Sequence, residues 1–520
     1  MRKCGHRVIV SLLLLFLVGC TQSEAIDLDA LMADFFEAAE DAEIAASIQQ
    51  LLDAQPDVAT VAEMLRKGRR YPTAESGWVV EELLGLDDRT RPFHVYIPTG
   101  YDAEVQHPVL FDLHGGVSTA PFPAEEMFNR RTLWQEEADQ RGWILIVPHG
   151  DRFATWFTAI GSANLHAQLD FVKRRYNVDE NRVFISGFSD GASGALWQGY
   201  HEPTPWAGFL AFHGHPVVGG FGPYQTYPRN LLNRSIRATT GEYDVLYPPS
   251  DVQPFYSLFT QIGVNLEWVV YPVGHETSFL VDELPFSIEF LTSTVRAPLR
   301  REVIWETADL EIGRCDWLRI DAIDAIGNDV PFPDANVVDD SRGIVFGVAL
   351  DYRLNDGFRV AGIEPGTLAR TIGVKNDDRI LTVDGSPVIS MEDIAFLMQG
   401  KRPGDWVEVT VERGGDEIAL AGEIPPVDFI FSRDLITGSI RAIADGNEIT
   451  ISVSQVSRFT LFLSSEQFDL SQPIRVLVNG TLVHDETVQP ELEFMLAQAA
   501  QDNDRTQVYE AKIEIQVPAI

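Results

Sequence analysis

Cysteine is almost missing from this chain. Its 520 residues contain three, Cys4, Cys20 and Cys315, and two of these fall in the first 20 positions. Cys315 is therefore alone in the body of the protein. No disulfide is available there, and no Cys/His cluster has metal-ligand spacing. Cys315 reads as a small, partly buried residue rather than a nucleophile. Basic residues are also scarce: 40 Lys and Arg stand against 77 Asp and Glu, a formal net charge of −37. Positive charge this sparse leaves no footprint for a nucleic acid and predicts a self-repelling surface. The apolar run at 8–18 is too short for a comfortable membrane span. Apolar content is 45 %, a globular value, and the length predicts about two to four domains. No metal or other cofactor is expected.

Residues 182–196, RVFISGFSDGASGAL, are the most informative stretch. Val183, Phe184 and Ile185 read as a short buried strand, and 192–200 is small and helix-tolerant. Between them Gly187-Phe188-Ser189-Asp190-Gly191 is a G-x-S-x-G, in the strand–turn–helix context of a nucleophile elbow. A turn this tight strains Ser189, and side chains at 187 or 191 would strike the neighbouring strand and helix. The hydroxyl would sit at a helix N-terminus, where N–H groups stabilise negative charge.

Strands alternate with helices on either side of this motif. Residues 93–97, 107–113, 143–147, 209–212, 235–238 and 266–271 read as strands, with helices over 134–140 and 163–176. That alternation predicts a mainly parallel sheet with helices on both faces. In α/β-hydrolases the order is Ser, acid, His, each in a loop after a strand. Asp244 follows the strand at 235–240, and His275 follows the strand at 266–272. His275 would take the proton of Ser189 and Asp244 would orient the imidazole. Oxyanion donors are expected at the N–H of Asp190 and in the His114-Gly115-Gly116 loop, with Gly116 preferred and Gly115 or Val117 as alternatives. Glu242 and Asp251 rival Asp244; His114, His149, His213 and His215 read as hydrogen-bonded loop histidines. Trp156 reads equally as pocket wall or core.

Over 90–292 these residues resemble the polyhydroxybutyrate-depolymerase and feruloyl-esterase-like branch of the α/β-hydrolases. The resemblance lies in LHGG (113–116), RRYNVD (174–179), NRVFISGFSDG (181–191), GEYD (241–244) and Gly274-His275. It implies metal-free hydrolysis of carboxylic esters through an acyl-enzyme. Asp190 departs from many relatives, and its charge beside the nucleophile is expected to disfavour anionic substrates.

The remaining chain frames this catalytic-type domain, expected at 78–297. Residues 1–20 read as a targeting segment: Arg2, Lys3 and Arg7, the apolar run, then Leu17-Val18-Gly19-Cys20, which resembles a bacterial lipobox. The resemblance implies cleavage before Cys20, acylation of that residue, and a lipid-anchored envelope protein. With Thr21 next, it implies the outer membrane of a Gram-negative bacterium. The rival is an ordinary signal peptide cut near Ser23. Residues 21–77 read as helical, with one helix from Leu28 and a second from Pro56.

Residues 342–424 resemble a PDZ domain, on VAGIEPGTLA (360–369) and IGVKNDDRILTVDG (372–385), with 391–398 as the groove helix. The resemblance implies capture of an extended peptide or protein C-terminus, with Ile344, Val345, Phe346 and Gly347 as the carboxylate loop. Residues 425–520 alternate as strands with hairpin signals at Asp445-Gly446-Asn447 and Asn479-Gly480. Residues 298–341 are too few for a domain. They are expected to pair with 425–520 in an antiparallel β-sandwich-like module, making the PDZ domain an insertion. A serine peptidase or amidase fed by the PDZ domain, and a non-catalytic anchored peptide-binding scaffold, are the other readings.

Overall fold

In the computed structural model the described residues are 27–117, 132–217, 225–324, 335, 346–351, 359–364, 367–425, 431 and 435–518. The leader with Cys20, and Ile344 and Val345 of the expected carboxylate loop, lie outside them. The chain divides into two compact units, the first ending at Asp57. In that first unit α1 (Leu28–Glu37) is capped by the Asp27 carboxylate on Ala30 N–H, and α2 (Asp41–Ala54) by a box between Glu40 and Glu43. The sequence predicts one helix from Leu28 and a second from Pro56, and α2 stands between them as a third. The capping box at Glu40 was the signal that separates them.

The second unit opens with α3 (Val58–Lys67) and is built on an eight-stranded sheet. Its strands are β1 (Gly77–Leu84), β2 (Thr90–Ile97), β3 (His107–Leu113), β4 (Ile144–Pro148), β5 (Val178–Phe188), β6 (Gly208–Phe212), β7 (Ser235–Gly241) and β8 (Leu266–Tyr271), in the order β1-β2-β4-β3-β5-β6-β7-β8. From β4 onward every pairing is parallel, while β1 and β2 run antiparallel at one edge. This is the α/β-hydrolase arrangement. Period-two alternation divides the strand side chains between two cores. Val109, Phe111, Ile144, Ile146 and Ile185 face the helices α5 (Ala159–Arg175), α6 (Asp190–His201) and α7 (Pro249–Gln261). Leu110, Leu145, Phe184 and Leu210 face α4 (Thr132–Arg141) and α8 (Leu280–Ser293). Each such side chain, fully buried, contributes about 1.5–3 kcal/mol.

After the sheet, β9 (Glu302–Thr307), β10 (Arg314–Cys315) and β11 (Leu318–Ile323) lead into the PDZ domain. That domain holds β12 (Val348–Asp351), β13 (Arg359–Ile363), α9 (Leu368–Ile372), β14 (Arg379–Val383), β15 (Ser386–Pro387), α10 (Met391–Met398), β16 (Trp406–Arg413) and β17 (Asp416–Glu423). Its main sheet runs β12-β13-β14-β16-β17, so β12 is an edge strand. Of the expected carboxylate loop, Phe346 is buried and its carbonyl accepts from Ala369 N–H. Gly347 has φ +87 and packs against Thr367 so closely that a Cβ would lie 2.0 Å from its hydroxyl.

The chain then returns through β18 (Gly438–Asp445), β19 (Glu448–Ser454), β20 (Val456–Leu463), β21 (Ile474–Val478), β22 (Thr481–Glu486), α11 (Leu492–Asp502) and β23 (Ala511–Gln516). β9 pairs with β18 in a sheet β22-β21-β19-β18-β9, and β11 with β20 in a sheet β10-β11-β20-β23. The two sheets enclose one core that includes Trp305, Trp317, Ile451, Phe459 and Cys315, so the sandwich is assembled from both sides of the PDZ domain. Two details differ from an all-antiparallel module. β19 and β21 are parallel, and α11 buries Met495 and Leu496. Leu492, Met495, Leu496 and Ala499 have helical spacing inside a stretch otherwise read as strands. Cys315 is fully buried, and burial pushes its thiol well above the ordinary range, so it is inert.

Side chains lock the sandwich to the hydrolase sheet. The amides of Asn230 and Asn233, in the 3-10 turn Pro228–Asn233, bond the backbone of Glu306 and Ile304 and occupy the open edge of β9. Arg296 donates to Asp504 at 2.7 Å, Arg505 to Glu180 at 2.7 Å, and Arg234 pairs bidentately with Asp316.

Candidate active site

The loops that carry Ser189, Asp244 and His275 meet at the C-terminal edge of the parallel strands. Ser189 lies between β5 and α6 with φ +57 and ψ −120, a conformation an L-residue adopts only at a cost. Two close approaches impose it. A Cβ on Gly187 would sit 2.2 Å from the backbone of Gly191, and one on Gly191 would sit 2.1 Å from the carbonyl oxygen of Leu113. The Ser189 N–H donates to the carbonyl of Phe212 and its own carbonyl accepts from Ala192 and Ser193, so the turn is fixed on both sides.

His275 Nε2 is 2.9 Å from Ser189 Oγ, and its Nδ1 is 2.7 Å from Asp244 Oδ2. An ionised carboxylate only accepts, so Nδ1 carries the proton and Nε2 is left to accept from the hydroxyl. Asp244 Oδ1 accepts from the N–H groups of Leu246 and Tyr247, each at 2.9 Å. Burial alone would raise this carboxyl, but the His275 bond and these two N–H groups outweigh it and hold Asp244 below the usual range. The two rival acids are exposed, Glu242 beside the loop and Asp251 on α7, and Asp251 faces Ser250.

The expected oxyanion loop packs directly on the elbow. A Cβ on Gly115 would lie 2.9 Å from the Ser189 Cβ. Val117 N–H donates to the Asp190 carboxylate at 2.9 Å, which removes Val117 from the three candidate donors. Gly116 turns the chain between them with φ +63. Asp190 is the first residue of α6, where N–H groups take no part in the helix's own ladder. The Asp190 carboxylate thus ties the loop to the helix. The sequence showed Asp190 as a departure but not where its carboxylate lands, which depends on the approach of β3 to α6.

The remaining histidines have structural partners or stacking. His114 Nε2 accepts from Gly150 N–H, and its Nδ1 faces the Gly115 carbonyl at 2.9 Å. The Trp156 indole donates to the His114 carbonyl at 2.9 Å from a fully buried position, so Trp156 is core that braces the loop. His149 is half-withdrawn from water, and burial lowers it. His215 accepts from Val217 N–H at its Nδ1. His213 is fully buried with φ +52. It stacks on Phe279 at 4.3 Å and places Nδ1 3.8 Å from Asp244 Oδ2. Burial pushes its imidazole down to about 4, so it is neutral. One donor atom from each of His213, Asp244 and His275 lies within 4.8 Å of the others, the arrangement among the described residues that could hold a metal ion. Tyr247 completes the aromatic surround, its ring 5.5 Å from that of His275.

Comparison with known proteins gives a match to the PDZ domain family over residues 359–413. A zinc-metalloprotease candidate of Agrobacterium fabrum is 43 % identical over 61 residues, 12 % of this chain and 16 % of that protein. A bifunctional acetylxylan esterase/xylanase of Neocallimastix patriciarum is 31 % identical over 104 residues, 19 % of this chain and 14 % of that protein. The chain thus spans less than one fifth of the length of these curated relatives. Among solved structures, a ferulic acid esterase aligns with TM-score 0.35 and 17 % identity over 42 % of this chain and 98 % of that one. The Staphylococcus aureus serine hydrolase FphF aligns with TM-score 0.35 and 16 % identity over 42 % of this chain and 100 % of that one. Among the described residues no helix is long and apolar enough to cross a membrane.

Proposed function

We propose that the hydrolase domain cleaves carboxylic esters through an acyl-enzyme on Ser189. The observation that carries this reading is the unbroken hydrogen-bond chain from Ser189 Oγ through His275 to Asp244, at 2.9 and 2.7 Å. Ser189 Oγ attacks the ester carbonyl while His275 Nε2 takes its proton. The tetrahedral oxyanion is received by the N–H groups of Asp190 and Gly116. His275 returns the proton to the departing alcohol, leaving the acyl group on Ser189. A water molecule then repeats the sequence, giving up its proton to His275 and releasing the acid. Asp244 holds the imidazole in the required tautomer and offsets its charge while it is protonated. No step calls for a metal or cofactor.

In this reading Cys20 is acylated and anchors the chain in the cell envelope. The PDZ domain takes an extended peptide or protein C-terminus along the edge strand β12. The decisive experiment is a panel of p-nitrophenyl esters, acetylated xylan and peptide amides, run against the wild type and Ser189→Ala. The xylan is included because of the name of the fungal relative. Ester turnover that disappears with Ser189→Ala supports the proposal. Amide cleavage without ester cleavage would move it to a peptidase, and no turnover at all would leave a peptide-binding scaffold.

A further inference from the structure

His213 borders the site, the proposed chemistry leaves it unused, and its state is costly. It is fully buried in a left-handed backbone conformation, φ +52, and neither ring nitrogen has a hydrogen-bond partner among the described residues. Buried polar groups are rarely left so, and each such group calls for an explanation. Stacking on Phe279 fixes the ring plane and aims Nδ1 at Asp244 Oδ2 across 3.8 Å, while His275 Nδ1 faces the same oxygen at 2.7 Å.

We propose that His213, Asp244 and His275 form a binding site for Zn2+, and that capture of the ion takes Asp244 and His275 out of the chain to Ser189 and switches the hydrolase off. The inhibition rests on the ester-hydrolase reading; the binding does not. Two imidazole nitrogens and a carboxylate oxygen are a donor set that suits zinc, whereas Mg2+ and Ca2+ take oxygen ligands. With zinc–ligand bonds of about 2.0–2.1 Å, neighbouring donors in a tetrahedral site are about 3.3 Å apart. The two contacts to Asp244 Oδ2, 2.7 and 3.8 Å, straddle that spacing. On that triangle the carboxylate oxygen has to move about 0.8 Å, away from His275 and towards His213, to bring both to it. The three donor atoms already lie within 4.8 Å of one another, and rotation of the partly exposed His275 ring closes the remaining span.

Metal ligands must be deprotonated. The proton that His275 Nδ1 donates to Asp244 must therefore pass through solvent to Nε2, which frees the Nδ1 lone pair for the ion and leaves Nε2 unable to accept from Ser189. With Nδ1 on zinc, His275 can no longer donate to Asp244 or accept a second proton as the imidazolium, and general-base catalysis stops. The side chains of Asp244 and His213 are fully buried while that of His275 is 19 % exposed. The ion therefore enters only when the His275 ring swings aside, and inhibition develops slowly.

The test uses the full chain. Ester turnover is followed after incubation with ZnCl2, with MgCl2, and with ZnCl2 followed by a chelator, for the wild type and His213→Asn. X-ray absorption is measured on the zinc-loaded wild type. The expected result is slow inhibition by zinc alone, reversed by the chelator, with His213→Asn needing at least about tenfold more zinc, the smallest effect usual for losing even an outer partner of a metal ligand. The absorption spectrum should show one zinc with two imidazoles and a carboxylate. An active enzyme that zinc leaves unaffected, or equal inhibition of wild type and His213→Asn, overturns the proposal. If no ester is turned over, or if His213→Asn does not fold, the absorption spectrum decides. A shell without two imidazoles then overturns the site, and the two-imidazole shell sustains it.

Discussion

Removing the Asp190 carboxylate separates the oxyanion loop from the elbow while leaving Ser189, His275 and Asp244 in place. In Asp190→Ala the N–H of the buried residue Val117 loses its acceptor at 2.9 Å. An unsatisfied buried N–H costs about 1–3 kcal/mol. The loop can escape that cost only by turning Val117 towards water, which carries Gly116 with it. If the whole penalty acts on the conformation that presents Gly116, the competent population falls by about 5- to 150-fold. The ceiling is the loss of one oxyanion donor, about 10²–10³ in kcat. The interaction is formed with the transition state, so kcat should fall and KM should change little. Asp190→Asn keeps an amide oxygen where the carboxylate was. It loses only the charge assistance, which about halves the bond strength. Its kcat should stay within about fivefold of the wild type. The assay is steady-state hydrolysis of a p-nitrophenyl ester, with circular dichroism melting to show that each variant is folded. Asp190→Asn as slow as Asp190→Ala would refute the reasoning, because the charge would then matter and not the acceptor. So would a folded Asp190→Ala at the wild-type rate.

Gly115→Ala should keep the fold and lose most ester turnover, since its Cβ would sit 2.9 Å from the Ser189 Cβ and 3.0 Å from the Phe188 carbonyl, neither of which can retreat; comparing turnover with melting temperature checks it. Asp504 is bound by Arg296 at 2.7 Å and faces Lys173 at 3.8 Å, and although burial opposes ionisation these cations hold its carboxyl far below the ordinary range. A depressed carboxyl contributes stability that is fully present above its unfolded value of about 3.9 and is lost as pH falls through that value towards the folded one. Asp504→Asn should therefore cost about 3–5 kcal/mol at neutral pH in urea melts, and should flatten the loss of stability below about pH 4.

The elbow was legible because its constraints are local. Gly187, Ser189 and Gly191 are within five residues, and the small residues at those points announce the close approaches found in the fold. Asp244 and His275 were legible for a different reason: each is a polar residue in the loop that follows a strand, and strand ends at one edge of a parallel sheet converge. What stayed hidden depends on distances that periodicity does not encode. The Asp190 carboxylate reaches Val117 only because β3 and α6 touch, and His213 faces Asp244 only because β6 and β7 are neighbours in register. The helix α11 is masked in the sequence because its 11 residues of helical spacing stand between strands with strong alternation. The parallel pairing of β19 with β21 has no local signal, since alternation is the same for either strand direction.

The position of the PDZ domain follows from the geometry of the sandwich. The chain leaves it after Ile323 and returns at Gly438, and these residues touch: a Cβ on Gly438 would lie 2.9 Å from Ile323 Cγ1. A domain whose two ends must meet at one point can be inserted there without breaking a strand pairing, because β9 to β18 and β11 to β20 close on either side of it. The described residues of the return path are held by the hydrolase. Phe431 packs into the hydrolase core with its ring 5.8 Å from that of Phe255 on α7, and Gln225 donates to the Leu435 carbonyl. Phe255 in turn lies against His215, His215 against Tyr247, and Tyr247 against His275. Both chain segments that flank the insertion are thus bound to the hydrolase, β9 through Asn230 and Asn233 and Phe431 through Phe255, so the sandwich serves as a frame and not as a spacer.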